Sequence, residues 1–177
     1  MKLTCGISTL NQKEKVHMCK KILDATAGGR MMWFDKNHPD ALYVDRRTAP
    51  KGSHPVSPGW SVTPDVLADF TDMPFDDGSF HLVVFDPPHV SRKNPAMWKS
   101  NVGMMYGALP KPWQPSISDG FAECWRVLAA NGTLIFKWAE SEIPLKEVLE
   151  LIPEKPLFGT RTGKRGSTVW LAFFKSE

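Results

Sequence analysis

The 177-residue chain is 42% hydrophobic and 23% charged, a balance suited to one globular domain with a sizeable core. No run of about 18 apolar residues is present, so a membrane span is not expected. The lysine-bearing start, residues 1–20, lacks the apolar core and cleavage site of a signal peptide, which makes a cytoplasmic location the expectation. A formal net charge of +3 permits a nucleic-acid partner without requiring one.

In chain order, the pattern predicts a helix over about residues 11–20, then a short strand at 22–24 ending in Asp24 and a small-residue turn at 25–30. A short helix is expected over about 31–36, broken by Asn37-His38-Pro39-Asp40, followed by a strand at 41–45 that ends in Asp45. Residues 46–63 read as a long loop, which in a compact domain is usually functional or mobile. A third strand spans 66–69. Residues 81–86 are apolar almost throughout, as befits a strand buried on both faces of a parallel sheet. Residues 90–115 have no clean periodicity. Ser116 or Ser118 is placed to cap a helix to about residue 129, with Phe121, Cys124, Trp125 and Leu128 on one face. A fifth strand follows at 133–138, a helix capped by Ser141 runs to about 151, and 157–162 pairs with 168–174 as an antiparallel hairpin.

Strands alternating with helices and closing in a hairpin predict an α/β fold: a Rossmann-like, doubly wound, mostly parallel sheet with a C-terminal antiparallel pair. Four strands end in an acid, Asp24, Asp45, Asp69 and Asp86, so four carboxylates are expected on one rim. Such crowding of like charge is costly unless something uses it. The turn Asp24-Ala25-Thr26-Ala27-Gly28-Gly29-Arg30 lets backbone approach a ligand closely. Asp45, 21 residues after Asp24, can accept both hydroxyls of a ribose. The alternative is a plain strand-to-helix turn with a solvated Asp45. Cys5, Cys19 and Cys124 are too few and too scattered for a disulfide framework or a zinc cluster. His17, His38, His54 and His81 show no ligand spacing, so no metal is expected.

These motifs resemble those of class I S-adenosylmethionine-dependent methyltransferases. Residues 24–30 resemble that family's Asp-x-x-x-Gly-x-Gly cofactor loop. The stretch from Asp69-Phe70 to Phe80 resembles the segment whose acid and neighbour hold the adenine ring. The stretch from Glu123 to Leu134 resembles the family's helix, turn and fifth strand, and the matches span residues 22–138 in the family's order. The resemblance implies one methyltransferase domain over 1–177, with S-adenosyl-L-methionine as cofactor held by Asp24, Thr26, Ala27, Gly28, Gly29, Arg30, Asp45, Asp69 and Phe70. Arg30 departs from the small residue usual there; a cation at that point reaches the methionine carboxylate or points to solvent.

Asp86-Pro87-Pro88-His89 resembles the Asp/Asn-Pro-Pro-aromatic motif of amino-methyltransferases acting on adenine N6, cytosine N4 or glutamine amides, and it is the expected catalytic centre. An exocyclic amine conjugated to a ring is a poor nucleophile. Two acceptors on its hydrogens, the Asp86 carboxylate and a carbonyl of the Pro-Pro step, favour a pyramidal nitrogen with an available lone pair, and the prolines fix the chain direction. His89 stands where a larger aromatic usually stacks on the target. The chain also resembles small phage and mobile-element DNA methyltransferases.

Residues 90–115 read as a target-binding lid, with Arg92, Lys93, Trp98, Tyr106, Lys111 and Trp113 suited to a flipped base and its phosphates. The competing reading packs those aromatics on the domain. Lys164 and Arg165 sit at the tip of the last hairpin, where a phosphate contact competes with a solvated turn. Seven tryptophans exceed what such a core needs. The expected reaction is N-methylation of a nucleic-acid base, DNA favoured over RNA and adenine N6 first. RNA, a protein amide, a small molecule and a non-catalytic cofactor-binding module remain open.

Overall fold

The computed structural model describes residues 20–93 and 95–177. Seven strands, β1 (Ile22–Asp24), β2 (Ala41–Asp45), β3 (Val66–Leu67), β4 (Phe80–Phe85), β5 (Leu128–Ala139), β6 (Phe158–Thr162) and β7 (Thr168–Phe174), form one sheet in the order β3-β2-β1-β4-β5-β7-β6. β1 to β5 run parallel, β7 is antiparallel to β5, and β6 is antiparallel to β7. The mostly parallel sheet and terminal antiparallel pair expected from the sequence are both present. The chain winds outward through β1, β2 and β3, then returns to the other side of β1 as β4. That reversal opens a crevice at the carboxyl ends of β1 and β4.

The helices are α1 (Pro95–Trp98), α2 (Asn101–Tyr106), α3 (Gln114–Val127) and α4 (Leu145–Leu149). α3 begins earlier than expected, because Pro115 suits the first helical turn, where a missing N–H costs nothing. It buries Ile117, Phe121, Cys124 and Val127. These meet the sheet face built by Leu23, Val83, Phe85, Leu134 and Phe136. Phe121 lies 5.0 Å from Phe173 and 6.3 Å from Phe136, ring centre to ring centre. Cys124 is fully buried, and burial pushes its thiol well above the ordinary range.

Two expectations change. Residues 31–36 form turns rather than a helix, and the β1–β2, β2–β3 and β3–β4 connections contain no helix. Local side-chain acceptors replace the helical ladder there: Asp35 accepts the Asn37 N–H and His38 accepts the Asp40 N–H, the competition by which Asp, Asn and His favour turns. Residues 90–115, expected as an irregular lid, carry α1 and α2, with the Ser100 hydroxyl accepting the Gly103 N–H. The helix expected over 11–20, together with Cys5 and Cys19, lies outside the described residues except for Lys20.

The loop 46–63 is tied down at both ends of its span. Ala49 and Val62 exchange backbone hydrogen bonds, His54 is buried with Nε2 3.0 Å from the Asn101 carbonyl of α2, and Trp60 covers Gly29. A Cβ at Gly29 would lie 2.9 Å from Trp60 Nε1, so this close approach needs glycine.

Gly120 of α3 is a second such position. A Cβ there would lie 2.5 Å from a Phe70 ring carbon and 3.0 Å from Phe85. Helix propensity alone favours alanine over glycine by about 1 kcal/mol. Overpacking costs about 1–3 kcal/mol and wins here. Gly120→Ala is therefore expected to lower the melting temperature, and a rise would show that α3 is not pressed against Phe70.

Candidate active site

A cavity of about 380 Å³ opens at the carboxyl ends of β1, β2, β4 and β5. One wall is the turn after β1, where Thr26, Ala27, Gly28 and Gly29 face the space. Gly28 adopts φ 49°, and its N–H donates to Asp45 Oδ2 at 3.0 Å, while the Ala27 N–H donates to the Val44 carbonyl at 2.8 Å. The second wall is Asp45 and Phe70. The third is Asp86, Pro87, Pro88 and His89, joined to the first because the Asp86 N–H donates to the Thr26 hydroxyl at 2.8 Å. Tyr106 and Gly107 close the rim from the end of α2. The cofactor-loop and Asp-Pro-Pro-His motifs thus share one space.

Three residues escaped the sequence reading. Lys137 of β5 lines the cavity, with Nζ 2.6 Å from Asp86 Oδ2. The signal was available: one lysine interrupts the apolar run Leu134-Ile135-Phe136 and Trp138. Arg46 and Arg47 follow Asp45 and also line the cavity. The Arg47 side chain grips Asp45, Nε to Oδ1 at 3.2 Å, and reaches the Met105 carbonyl of α2 at 3.5 Å.

Three expected cofactor contacts lie elsewhere. Asp24 is fully buried and does not face the cavity; its carboxylate accepts the Trp33 indole N–H at 2.7 Å and the Thr26 N–H at 3.2 Å. Arg30, in the left-handed region at φ 54°, turns away. Its guanidinium donates to the carbonyls of Lys36 and Thr63 and to Asp65, and stacks 3.8 Å over the Tyr43 ring. It therefore clamps the helix-free β1–β2 connection instead of reaching toward a methionine carboxylate. Asp69 spends Oδ1 on the Thr71 N–H and hydroxyl, leaving Phe70 to supply that wall.

Among the expected target contacts whose side chains are described, only Tyr106 lines the cavity. Trp113 packs on the core beneath the sheet, as the competing reading had it. Trp98 lies between Arg92 and Lys99, whose cationic groups are 6.0 Å and 5.3 Å from its ring. Lys93, Lys111 and Lys164 are exposed away from the cavity, and the side chain of Arg165 lies outside the described set.

Burial pushes the Asp24 carboxyl up to about 7, against the pull of its two N–H donors, and the neighbouring Asp86 and Asp45 carboxylates add to the rise. Burial also raises the Asp86 carboxyl, but His89 and Lys137 outweigh it and hold the group below the ordinary range. Two acids one strand apart on the same rim are thereby pushed in opposite directions.

Neither a protein-family model nor a curated protein matches the chain. Solved structures do. A TehB-like S-adenosylmethionine-dependent methyltransferase from Corynebacterium glutamicum is 18% identical with a TM-score of 0.53, covering 90% of this chain and 81% of that one. Burkholderia thailandensis 1,6-didemethyltoxoflavin-N1-methyltransferase, solved with bound 1,6-didemethyltoxoflavin and S-adenosylhomocysteine, is 13% identical with a TM-score of 0.52, covering 93% and 76%. The 16S rRNA (adenine(1408)-N(1))-methyltransferase of Catenulisporales acidiphilia is 11% identical with a TM-score of 0.51, covering 95% and 92%. The chain has the class I methyltransferase fold.

Because the folded-state value of Asp24 exceeds its ordinary 3.8, the folded protein holds a proton that the unfolded chain releases. That stabilising contribution is complete below about pH 4 and is lost as pH rises through 7, at most about 4 kcal/mol. Denaturation across this range should show Asp24→Asn losing less stability than wild type between pH 4 and 7. Parallel slopes would contradict the assigned burial.

Proposed function

We propose that the chain is an S-adenosylmethionine-dependent N-methyltransferase acting on an exocyclic amine of a nucleic-acid base, adenine N6 in DNA first. The observation that carries the reading is the meeting of the small-residue loop and Asp86-Pro87-Pro88-His89 in one cavity, stitched by the Asp86–Thr26 hydrogen bond.

The residues fit the cofactor. Gly28 and Gly29 leave backbone exposed to a ligand, Asp45 offers its carboxylate to ribose hydroxyls, and Phe70 gives a flat apolar wall for adenine. Arg47 shares Asp45, so ribose hydroxyls compete with its guanidinium. When bound, the cofactor supplies an electrophilic methyl on a sulfonium. The protein's part is to position and desolvate, which supplies roughly 7 kcal/mol or more of barrier lowering in favourable cases. Pro87 and Pro88 fix the backbone beside Asp86, the carboxylate polarises the target N–H, and Tyr106 offers a ring at the rim.

A second reading, the same chemistry on a small molecule or protein amide, is favoured by the position of the lid cations. Arg92 and Lys99 lie near Trp98, and among the described side chains of the expected target contacts Tyr106 alone reaches the cavity. Nucleoside mass spectrometry after incubation with DNA and RNA separates the two. A new methylated base supports the first; none, with cofactor binding verified by calorimetry, supports the second.

Asp45→Ala is expected to weaken S-adenosylmethionine binding by about 1–3 kcal/mol in calorimetry, through lost ribose contacts and the freed Gly28 N–H. Asp86→Ala should keep cofactor affinity and abolish transfer. Unchanged affinity in the first variant, or retained transfer in the second, would contradict the assignment.

A further inference from the structure

The cavity has two ends. Gly28, Asp45 and Phe70 line one, from the ends of β1 and β2 and the turn after β3; Lys137, Ala139 and Thr168 line the other, where β5 ends and β7 begins. Asp86, after β4, lies between them, as the strand order dictates. The first end is the proposed cofactor site, which leaves the second for the group that receives the methyl. The register pairs Phe85 with Phe136, so Asp86 and Lys137 stand side by side one residue further on, Nζ 2.6 Å from Oδ2. Oδ1 of Asp86 is buried and has no hydrogen-bond partner among the described residues. Oδ2 is therefore the oxygen that serves the cavity, and Lys137 takes only part of its accepting capacity. The lysine in turn carries three donors. Asp86 accepts one, and among the described residues no other acceptor takes a second; the Trp170 ring lies 5.5 Å from Nζ.

Resting on the methyl-transfer reading above, we propose that Lys137 is the specificity residue of the target site: Asp86 Oδ2 accepts from the amino group to be methylated while Lys137 Nζ donates to the ring nitrogen beside that group. An acceptor and a donor held next to each other by their own ion pair match an edge that offers a donor next to an acceptor. Adenine presents N6–H beside N1, and cytosine presents N4–H beside N3. Guanine entering by O6 and N1–H reverses the order, setting O6 against the carboxylate and N1–H against the ammonium, a mismatch that rejects it. The lysine also occupies the lone pair of the ring nitrogen, which directs the methyl to the amine. An isolated alkyl amine offers the ammonium nothing to donate to and is disfavoured for that reason.

The test removes the acceptor on the base and the donor on the protein in turn. DNA strands carrying adenine, 1-deazaadenine (C–H in place of N1) or 7-deazaadenine (altered on the Hoogsteen edge) are offered to wild type and to Lys137→Met, with cofactor affinity checked by calorimetry. Wild type should lose about 10- to 100-fold in kcat/KM on 1-deazaadenine relative to adenine, the worth of a hydrogen bond from a charged donor, and little on 7-deazaadenine. Lys137→Met should bind the cofactor unchanged, turn over slowly on every strand and no longer distinguish 1-deazaadenine from adenine; Lys137→Arg should recover part of the discrimination. The same adenine-to-1-deazaadenine ratio in wild type and Lys137→Met overturns the proposal and leaves methyl transfer to adenine standing, because a lysine that merely props Asp86 would slow all strands alike. Should Lys137→Met fail to fold, the wild-type ratio decides: no loss on 1-deazaadenine overturns the assignment. If cytosine proves to be the methylated base, 3-deazacytosine replaces 1-deazaadenine with the same expectations. No methylation of any base, with cofactor bound, overturns the base reading and this assignment together.

Discussion

Parallel strands deliver four carboxylates to one rim of the sheet, and each must be offset before the cavity can exist. The structure offsets each differently. Asp24 is buried under the Trp33 indole and driven toward its protonated form. Asp45 collects the Gly28 N–H and the Arg47 guanidinium. Asp69 stays half-exposed, with Thr71 and Arg46 beside it. Asp86 is held ionised between Lys137 and His89. For the buried three, Asp24, Asp45 and Asp86, an uncompensated carboxylate would cost several kcal/mol, so their partners are as much a part of the fold as the apolar core.

The offsets also join pieces that would otherwise be independent. Gly28 is pinned to Asp45, Thr26 to Asp86, Arg47 reaches the Met105 carbonyl of α2, and Trp60 seats on Gly29. The helix-free connections on one side of the sheet are held by side chains instead of helical ladders. Arg30 carries the largest share, binding two carbonyls, Asp65 and the Tyr43 ring. The opposite face needs no such devices, because α3 covers it with Phe121, Cys124 and their neighbours.

Much of this was legible in the amino-acid sequence, for identifiable reasons. Strands β1, β2, β4, β5 and β7 announced themselves as apolar runs, and the strand-ending acids with the Gly28-Gly29 turn placed the cavity rim. What stayed hidden depends on contacts between distant residues. The apolar run 31–34 has no helix because neighbouring Asp and His side chains cap turns, which periodicity does not report. Arg30 looked like a ligand contact because its position lies in the loop, yet its direction is set by Lys36, Thr63 and Asp65. Trp113 looked available for stacking and instead packs, partly buried, against the core. Lys137 was passed over inside an apolar strand, although a lone cation there needs an anionic partner and finds it in Asp86.

The central claim is geometric: a methyl donor lies between the Gly28 turn and the Asp86 corner. A crystal structure of the complex with S-adenosylhomocysteine tests it most directly. The account places the ribose at Asp45, the adenine along Phe70 and the sulfur facing Asp86 and His89. Density for the ligand at any other face of the protein, or with its sulfur turned from Asp86, would contradict it.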